Sequence, residues 1–372
     1  MKKIIIGIVA LLIIGLCIFF AINHNNKGSN NNNNNKSSNS SKTNSKTTEE
    51  VEWDNFDSND ITLSKSIKIT EGGVYNLTGT IEDGYILIDT EEEVKLVLNN
   101  VNIKNSNGPA ILVTSAKLVE IELAEGTENY LEDSDTYSTD NQDYDAVIYS
   151  KDDLIISGTG SLTIKANLAK GIVSKDNLTI EDGEYKIEAV DDGINVNDII
   201  TINSGTFNII SKDDGIHADG MLEINGGTFN IESAEGLEAT YIKINDGNIT
   251  INASDDGINA ANKSEDYTIC VEINGGNIVI KMGQGDTDAI DSNGNIIIND
   301  GNINITGQSS FDYDGKAEFN GGTIIVNGQQ ITTIPNQMMG GGGMPGQGGM
   351  PGQGEMPNGD MQQPPRGGRQ NR

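Results

Sequence analysis

From about residue 53 to residue 333 the chain alternates apolar and polar residues in short runs broken by Gly, Asn and Asp. Residues 191–211 show the pattern most cleanly, reading DDGINVNDIITINSGTFNIIS. Three alternating runs lie inside this stretch: Ile194-Asn195-Val196, Ile200-Thr201-Ile202 and Phe207-Asn208-Ile209. An apolar residue at every second position is the mark of a strand with one buried face.

The stretch then repeats at 213–233, 234–254 and 255–280. The glycine after the acidic pair recurs at Gly193, Gly215, Gly236 and Gly257, in steps of 22, 21 and 21 residues. A second glycine recurs at Gly183, Gly205, Gly227, Gly247, Gly276, Gly301 and Gly322, and an insert at 263–268 lengthens one step. Less regular copies occupy 144–166, 168–189, 288–307 and 313–328. Three strands and some 22 residues per copy describe one coil of a parallel β-helix. A propeller blade needs roughly 40 residues and a different signature. A β-sandwich lacks such short self-similarity. The expected fold is therefore all-β, a parallel β-helix over 53–333 with inward ladders of Ile, Val and Phe. Tyr185 and Phe207 fall in inward columns. The more weakly spaced part, 53–144, reads as the first coils, with 53–66 as a cap over the exposed strand edges.

The flanks are of another kind. Residues 4–22 are 19 unbroken apolar positions, enough to cross about 30 Å of hydrocarbon. Lys2 and Lys3 would hold the N-terminus inside. Residues 1–22 thus read as a transmembrane anchor or signal segment, without a small-residue cleavage motif after Ile22. Cys17 closes a lipobox-like Ile14-Gly15-Leu16-Cys17, but Leu16 is large for one. Residues 23–52 form an Asn/Ser/Lys stalk and 334–372 a Gly/Met/Pro/Gln-rich tail expected to be disordered. The expected place is the extracellular face of the membrane of a Gram-positive cell, or the medium if the segment is cleaved, and the expected state is a monomer. Cys17 and Cys270 are the two cysteines, so neither a disulfide framework nor a zinc cluster is expected.

The net charge of −31 excludes nucleic acid as a partner and favours cations. Much of that charge is stacked. The position before the first glycine reads Asp192, Asp214, Glu235 and Asp256, continued by Asp288 before Ala289. The position before that holds Asp191, Asp213 and Asp255. Two residues after the glycine come Asn195, His217, Glu238, Asn259 and Asp291. Their neighbours Ile194, Ile216, Leu237, Ile258 and Ile290 point inward, so these five point outward. Coils lie about 4.8 Å apart. Carboxylates stacked at that spacing repel unless a cation lies among them. Calcium suits an irregular set of carboxylate and amide oxygens. The competing reading is turn chemistry alone, with Asp favouring the turn and Gly supplying a positive φ. His217 reads either as a metal ligand or as a hydrogen-bond partner of a carboxylate. Lys170, Lys175 and Lys212 lie near the same face and could pair with anionic groups of a substrate.

The DDGI copies at 191–194, 213–216 and 255–258, with I-N-x-G-x-[FI] copies such as 224–229, carry a resemblance. Over 53–333 the chain resembles the carbohydrate-binding β-helix proteins of cellulose-degrading clostridia, which are similar in fold to pectate lyases. The resemblance implies a right-handed helix, calcium at the Asp corners, and binding of cellulose and of acidic sugars such as polygalacturonate. Trp53, Tyr137 and Tyr144 read as sugar contacts or as packing. The alternatives are a calcium-dependent uronate lyase and a surface protein that calcium merely stabilises. A lyase needs a base such as Lys212, and the chain's three arginines all lie in the tail.

Overall fold

The computed structural model describes residues 51–138, 143–285 and 287–337. The anchor and most of the stalk and tail lie outside the described residues. Among the described residues a single turn of 3-10 helix, Trp53–Asn55, is the sole helix, and none is long and apolar enough to cross a membrane. All else is strand. Thirty-one strands join in one sheet wound into a parallel β-solenoid of about 12 turns.

The stack has three faces. In one coil, face 1 is Ile194–Val196, face 2 is Ile199–Ile202 and face 3 is Thr206–Ile210. Each pairs in parallel with its counterparts one coil before and one coil after. Ile194–Val196, for example, lies between Lys170–Ser174 and the first half of Asp214–Ile224. A one-residue slip would turn every buried side chain out, so the alternation fixes the register. Like residues accordingly stack on like. Ile172, Ile194, Ile216, Leu237, Ile258, Ile290 and Phe311 form one inward ladder on face 1 and are wholly buried. On face 3 the Tyr185, Phe207 and Phe229 rings stack with centroids 4.7 Å apart at each step.

Between faces 2 and 3 runs an amide ladder. Asn225, Asn245, Asn274, Asn299 and Asn320 each donate from Nδ2 to the Oδ1 of the asparagine one coil earlier, at 2.7–3.0 Å, beginning at Asn203. These asparagines immediately follow the last inward apolar residue of face 2, where the chain leaves the ladder and the side chain can satisfy its neighbour.

The two glycine columns have different causes. Gly183, Gly205 and Gly227 have φ of 127°, 119° and 101°, a conformation in which a side chain is strained. Gly193, Gly215, Gly236 and Gly257 do not have positive φ, contrary to the turn-chemistry reading. A Cβ on Gly215 would lie 2.4 Å from Ile231 Cγ2 and 2.6 Å from the Gly236 carbonyl oxygen. That column is glycine because adjacent coils approach closely there.

The ends also differ from the expected cap. Ser58–Leu63 and Ile67–Ile69 belong to the first coil itself and pair onward with Gly73–Ile81 and Ile86–Asp89. Trp53 lies over face 2 instead, its Nε1 donating to Glu120 Oε2 at 2.5 Å. At the other end Gln329–Ile331 folds back antiparallel on Thr323–Val326 and pairs with that strand.

Candidate functional site

The outward column of face 1 is continuous. It reads Leu112, Tyr149, Val173, Asn195, His217, Glu238, Asn259, Asp291 and Asp312, each in register with the next. Its first part is apolar and its remainder polar or acidic. Beside it, at the corner where face 3 turns into face 1, stand Asp192, Asp214, Glu235, Asp256 and Asp288, linked coil to coil through their backbones. Outward does not mean solvated here. Asp192, Asp214 and Glu238 are only 5–6 % exposed and His217 is 9 % exposed. The two columns shield each other, and the insert near 263–268 is fastened at Thr240, just past Glu238. The Lys263 and Ser264 amides both donate to Thr240 Oγ1 at 2.9 Å.

Three electrostatic settings follow one another along the stack. The first is Asp191, Asp192 and Asp213, whose oxygens lie within 4.8 Å of one another. Lys170 Nζ stands 2.5 Å from Asp191 Oδ2 and 3.2 Å from Asp145 Oδ2. Burial, then the Asp191 charge, pushes the Asp192 carboxyl above its usual range. It still accepts hydrogen bonds from Asn195 Nδ2 at 2.8 Å and from the Asp214 amide at 3.1 Å.

The second setting centres on His217. Its Nδ1 lies 2.8 Å from Asp214 Oδ2 and 2.6 Å from Glu238 Oε2, and its Nε2 lies 3.1 Å from Asp219 Oδ1. Burial opposes charge on the ring, but these three carboxylates outweigh it and push the pKa up to about 11. Lys263 Nζ adds a contact of 2.7 Å to Glu238 Oε1. Burial would raise the Glu238 carboxyl, but His217 and Lys263 hold it down. Asp214 is raised, chiefly by burial. Asp214, His217 and Glu238 bring ligand atoms within 4.8 Å of one another, a grouping that could hold a metal ion as well as an imidazolium.

The third setting holds Asp256, Asp288, Asp291 and Asp312. Among the described residues no lysine or histidine pairs with Asp291 or Asp312. Burial, then the charges of Asp256, Asp312 and Asp288, pushes the Asp291 pKa up to about 7. Its two neighbours along the column each present a buried oxygen without a hydrogen-bond partner, Asn259 Oδ1 and Asp312 Oδ1. Glu235, beside Asn259, is pushed up to about 8, first by burial, and accepts from Asn259 Nδ2 at 2.9 Å. An all-oxygen set from successive coils with orphaned acceptors fits calcium. It suits neither zinc, which takes nitrogen and sulfur, nor magnesium, which demands a regular octahedron.

The structure therefore gathers the expected Asp, Glu and Asn residues on one face, but in separate clusters. Asp255 and Lys212 are exposed and make no side-chain contact among the described residues. Lys175 sits at the opposite corner of face 1, its ammonium 5.7 Å from the Tyr149 ring centroid. Tyr137 is buried, its hydroxyl donating to Asp133 Oδ2 at 2.7 Å. Tyr185 and Phe207 are core. Sequence reasoning missed Asp145, Asp219, Lys263 and Asp312. Asp312 follows an inward Phe311, as each outward member follows an inward apolar residue, but its copy has no acidic pair and glycine to mark it. Lys263 comes from the aperiodic insert and has no periodic signal.

A family model described as carbohydrate-binding domain-containing protein matches residues 64–241 and 235–336. A curated protein of Acetivibrio thermocellus described in the same words is 41% identical over 146 residues, covering 38% of this chain and 51% of that protein. The chain thus spans about half the length of that relative. A solved structure of a polysaccharide lyase-like protein from C. thermocellum, a gadolinium derivative, is 28% identical, with a TM-score of 0.40, and the match covers 73% of this chain and 94% of that one.

Proposed function

The chain belongs to the carbohydrate-binding domain-containing protein family, and we propose that it binds acidic polysaccharide of the polygalacturonate type through calcium held along face 1. The carrying observation is the pair of buried, partnerless oxygens of Asn259 and Asp312 flanking Asp291. A buried acceptor without a partner is costly unless a ligand satisfies it.

Asn259, Asp291 and Asp312 would hold the ion, with Asp256 and Asp288 adjacent. Asp191, Asp192 and Asp213 offer a second position beside Lys170. Bound there, calcium supplies positive charge and coordination positions open to a sugar carboxylate. His217 and Lys263 offset carboxylates between these two positions and Lys170 those of the second, so a polyanion can approach a face that would otherwise repel it. The lyase alternative rests on Lys212, which has no side-chain contact to hold it as a base, so the reading favours binding over bond cleavage. With an anchor at 4–22, the solenoid would present this face outside the cell, and cellulose is a second expected ligand.

The test is calcium calorimetry on the full chain and on an Asp291→Asn/Asp312→Asn variant. The reading expects one fewer ion bound by the variant and weaker retention on polygalacturonate. Equal calcium stoichiometry and equal retention would refute it.

A further inference from the structure

We propose that the apolar end of face 1 carries a metal-independent subsite for the carboxylate of an acidic sugar, formed by Lys151 and Lys175 against Tyr144 and Tyr149. The proposal deepens the binding reading above and rests on it.

The two lysines stack. Ser150 and Ser174 are in register on adjacent coils, and each lysine is the next residue. Their backbones therefore lie about 4.8 Å apart. Like charges stacked at that spacing repel, as the carboxylates do further along, and an anion between them relieves the repulsion. Both ammoniums fold back over aromatic rings. Lys151 Nζ lies 5.5 Å from the Tyr144 centroid and Lys175 Nζ lies 5.7 Å from the Tyr149 centroid. The two rings meet edge to face, 5.2 Å apart at 70°. Tyr149 and Val173 are buried in this outer cluster, while Tyr144 and Leu112 are only partly covered.

The chain holds 55 Asp and Glu, and Lys95, Lys104, Lys117 and Lys170 all pair with carboxylates. Among the described residues neither Lys151 nor Lys175 forms an ion pair. Lys65, Lys212, Lys281 and Lys316 also form no ion pair among the described residues, but of the lysines without one only Lys151 and Lys175 lie over aromatic rings. Three of the carboxylates nearby in sequence have other partners, while the charges of Asp145 and Asp143 still reach Tyr149. Asp145 contacts Lys170 at 3.2 Å, Asp152 accepts the Ala116 amide at 2.9 Å, and Asp153 accepts Asn177 Nδ2 at 2.8 Å. Two uncommitted ammoniums beside a partly open tyrosine match a pyranose ring bearing a carboxylate. The ring would rest on Tyr144 and the carboxylate would sit between the lysines.

The subsite shares its column with the acidic clusters. From Tyr149 to Asp291 is six coil steps, about 29 Å. A trisaccharide cannot occupy both ends, whereas a polymer can, gaining avidity without a new contact.

The test uses the full chain and trigalacturonate, with chelator present to remove calcium and cellotriose as the neutral control. Wild type should bind trigalacturonate and not cellotriose. Lys151→Ala/Lys175→Ala should weaken that binding about 10-fold or more, while Lys151→Arg/Lys175→Arg retains most of it. Tyr144→Ala should weaken it as well. The calcium-induced rise in melting temperature should be the same in the alanine pair as in wild type, which shows that the fold and the metal positions are intact. Equal trigalacturonate affinity in wild type and the alanine pair, or no binding by wild type under chelation, overturns the subsite. Loss of calcium-dependent polymer binding with this binding retained would overturn the calcium-bridged reading alone.

Discussion

Nδ1 of His217 lies 2.6 Å from Oε2 of Glu238, one coil further along the stack, with both side chains almost wholly withdrawn from water. With its ring charged, His217 bridges the carboxylates of two adjacent coils. Removing it leaves Asp214 and Glu238 buried with Lys263 alone to balance them. His217→Leu should destabilise the protein by about 3 kcal/mol, since breaking a buried pair strands its partner. Urea unfolding of the two proteins at neutral pH measures the difference.

Stability without metal should depend on pH in a definite direction. Glu235 and Asp291 are pushed up to about 8 and about 7 by burial and neighbouring carboxylates. Each binds its proton more tightly folded than unfolded. Their contribution is fully present below the ordinary carboxylate range and is lost as pH rises through about 7 to 8. His217 adds to the trend, because a raised imidazole loses its contribution progressively as pH climbs from its ordinary value toward about 11. In chelator the melting temperature should therefore be higher at pH 5.5 than at pH 9. Calcium should narrow that gap, because metal binding requires the ionised carboxylates. A melting temperature independent of pH in chelator would mean that these carboxyls are not destabilised in the folded state.

Close approach rather than turn geometry explains the first glycine column. Gly215→Ala should cost about 1–3 kcal/mol through overpacking against Ile231 and the next coil's backbone. Scanning calorimetry of the variant reads this directly.

The aromatic stack of face 3 should be more sensitive still. Phe207 is fully buried between Tyr185 and Phe229. Phe207→Ala should cost about 3–5 kcal/mol, the range for deleting a large core ring. The urea midpoint of the variant tests it.

The coil, its three strands and its inward ladders were legible because a period of 22 or 21 residues places the same chemistry at the same position each time. Gly205 and Phe207 announce the fold several times over. What was hidden breaks the period. Lys263 arrives from an insert, and Asp312 lacks the acidic pair that marks its relatives. The burial of Glu238 and Asp192 was equally hidden, since alternation says which side of the sheet a residue takes and not what covers it. The glycine at 215 was visible, but its cause was not, because both a positive φ and a close approach select the same residue. Lys175 was placed near face 1, and the structure adds that it follows the strand at the corner opposite the acidic column.

The most direct measurement is a set of melting curves of the full chain in calcium and in chelator, each with and without polygalacturonate. Polygalacturonate held through the metal should raise the midpoint further in calcium, and by much less under chelation, as linkage requires. If calcium leaves the midpoint unchanged and polygalacturonate shifts it equally in both conditions, the acidic clusters of face 1 hold no metal that matters to binding, and the central claim fails.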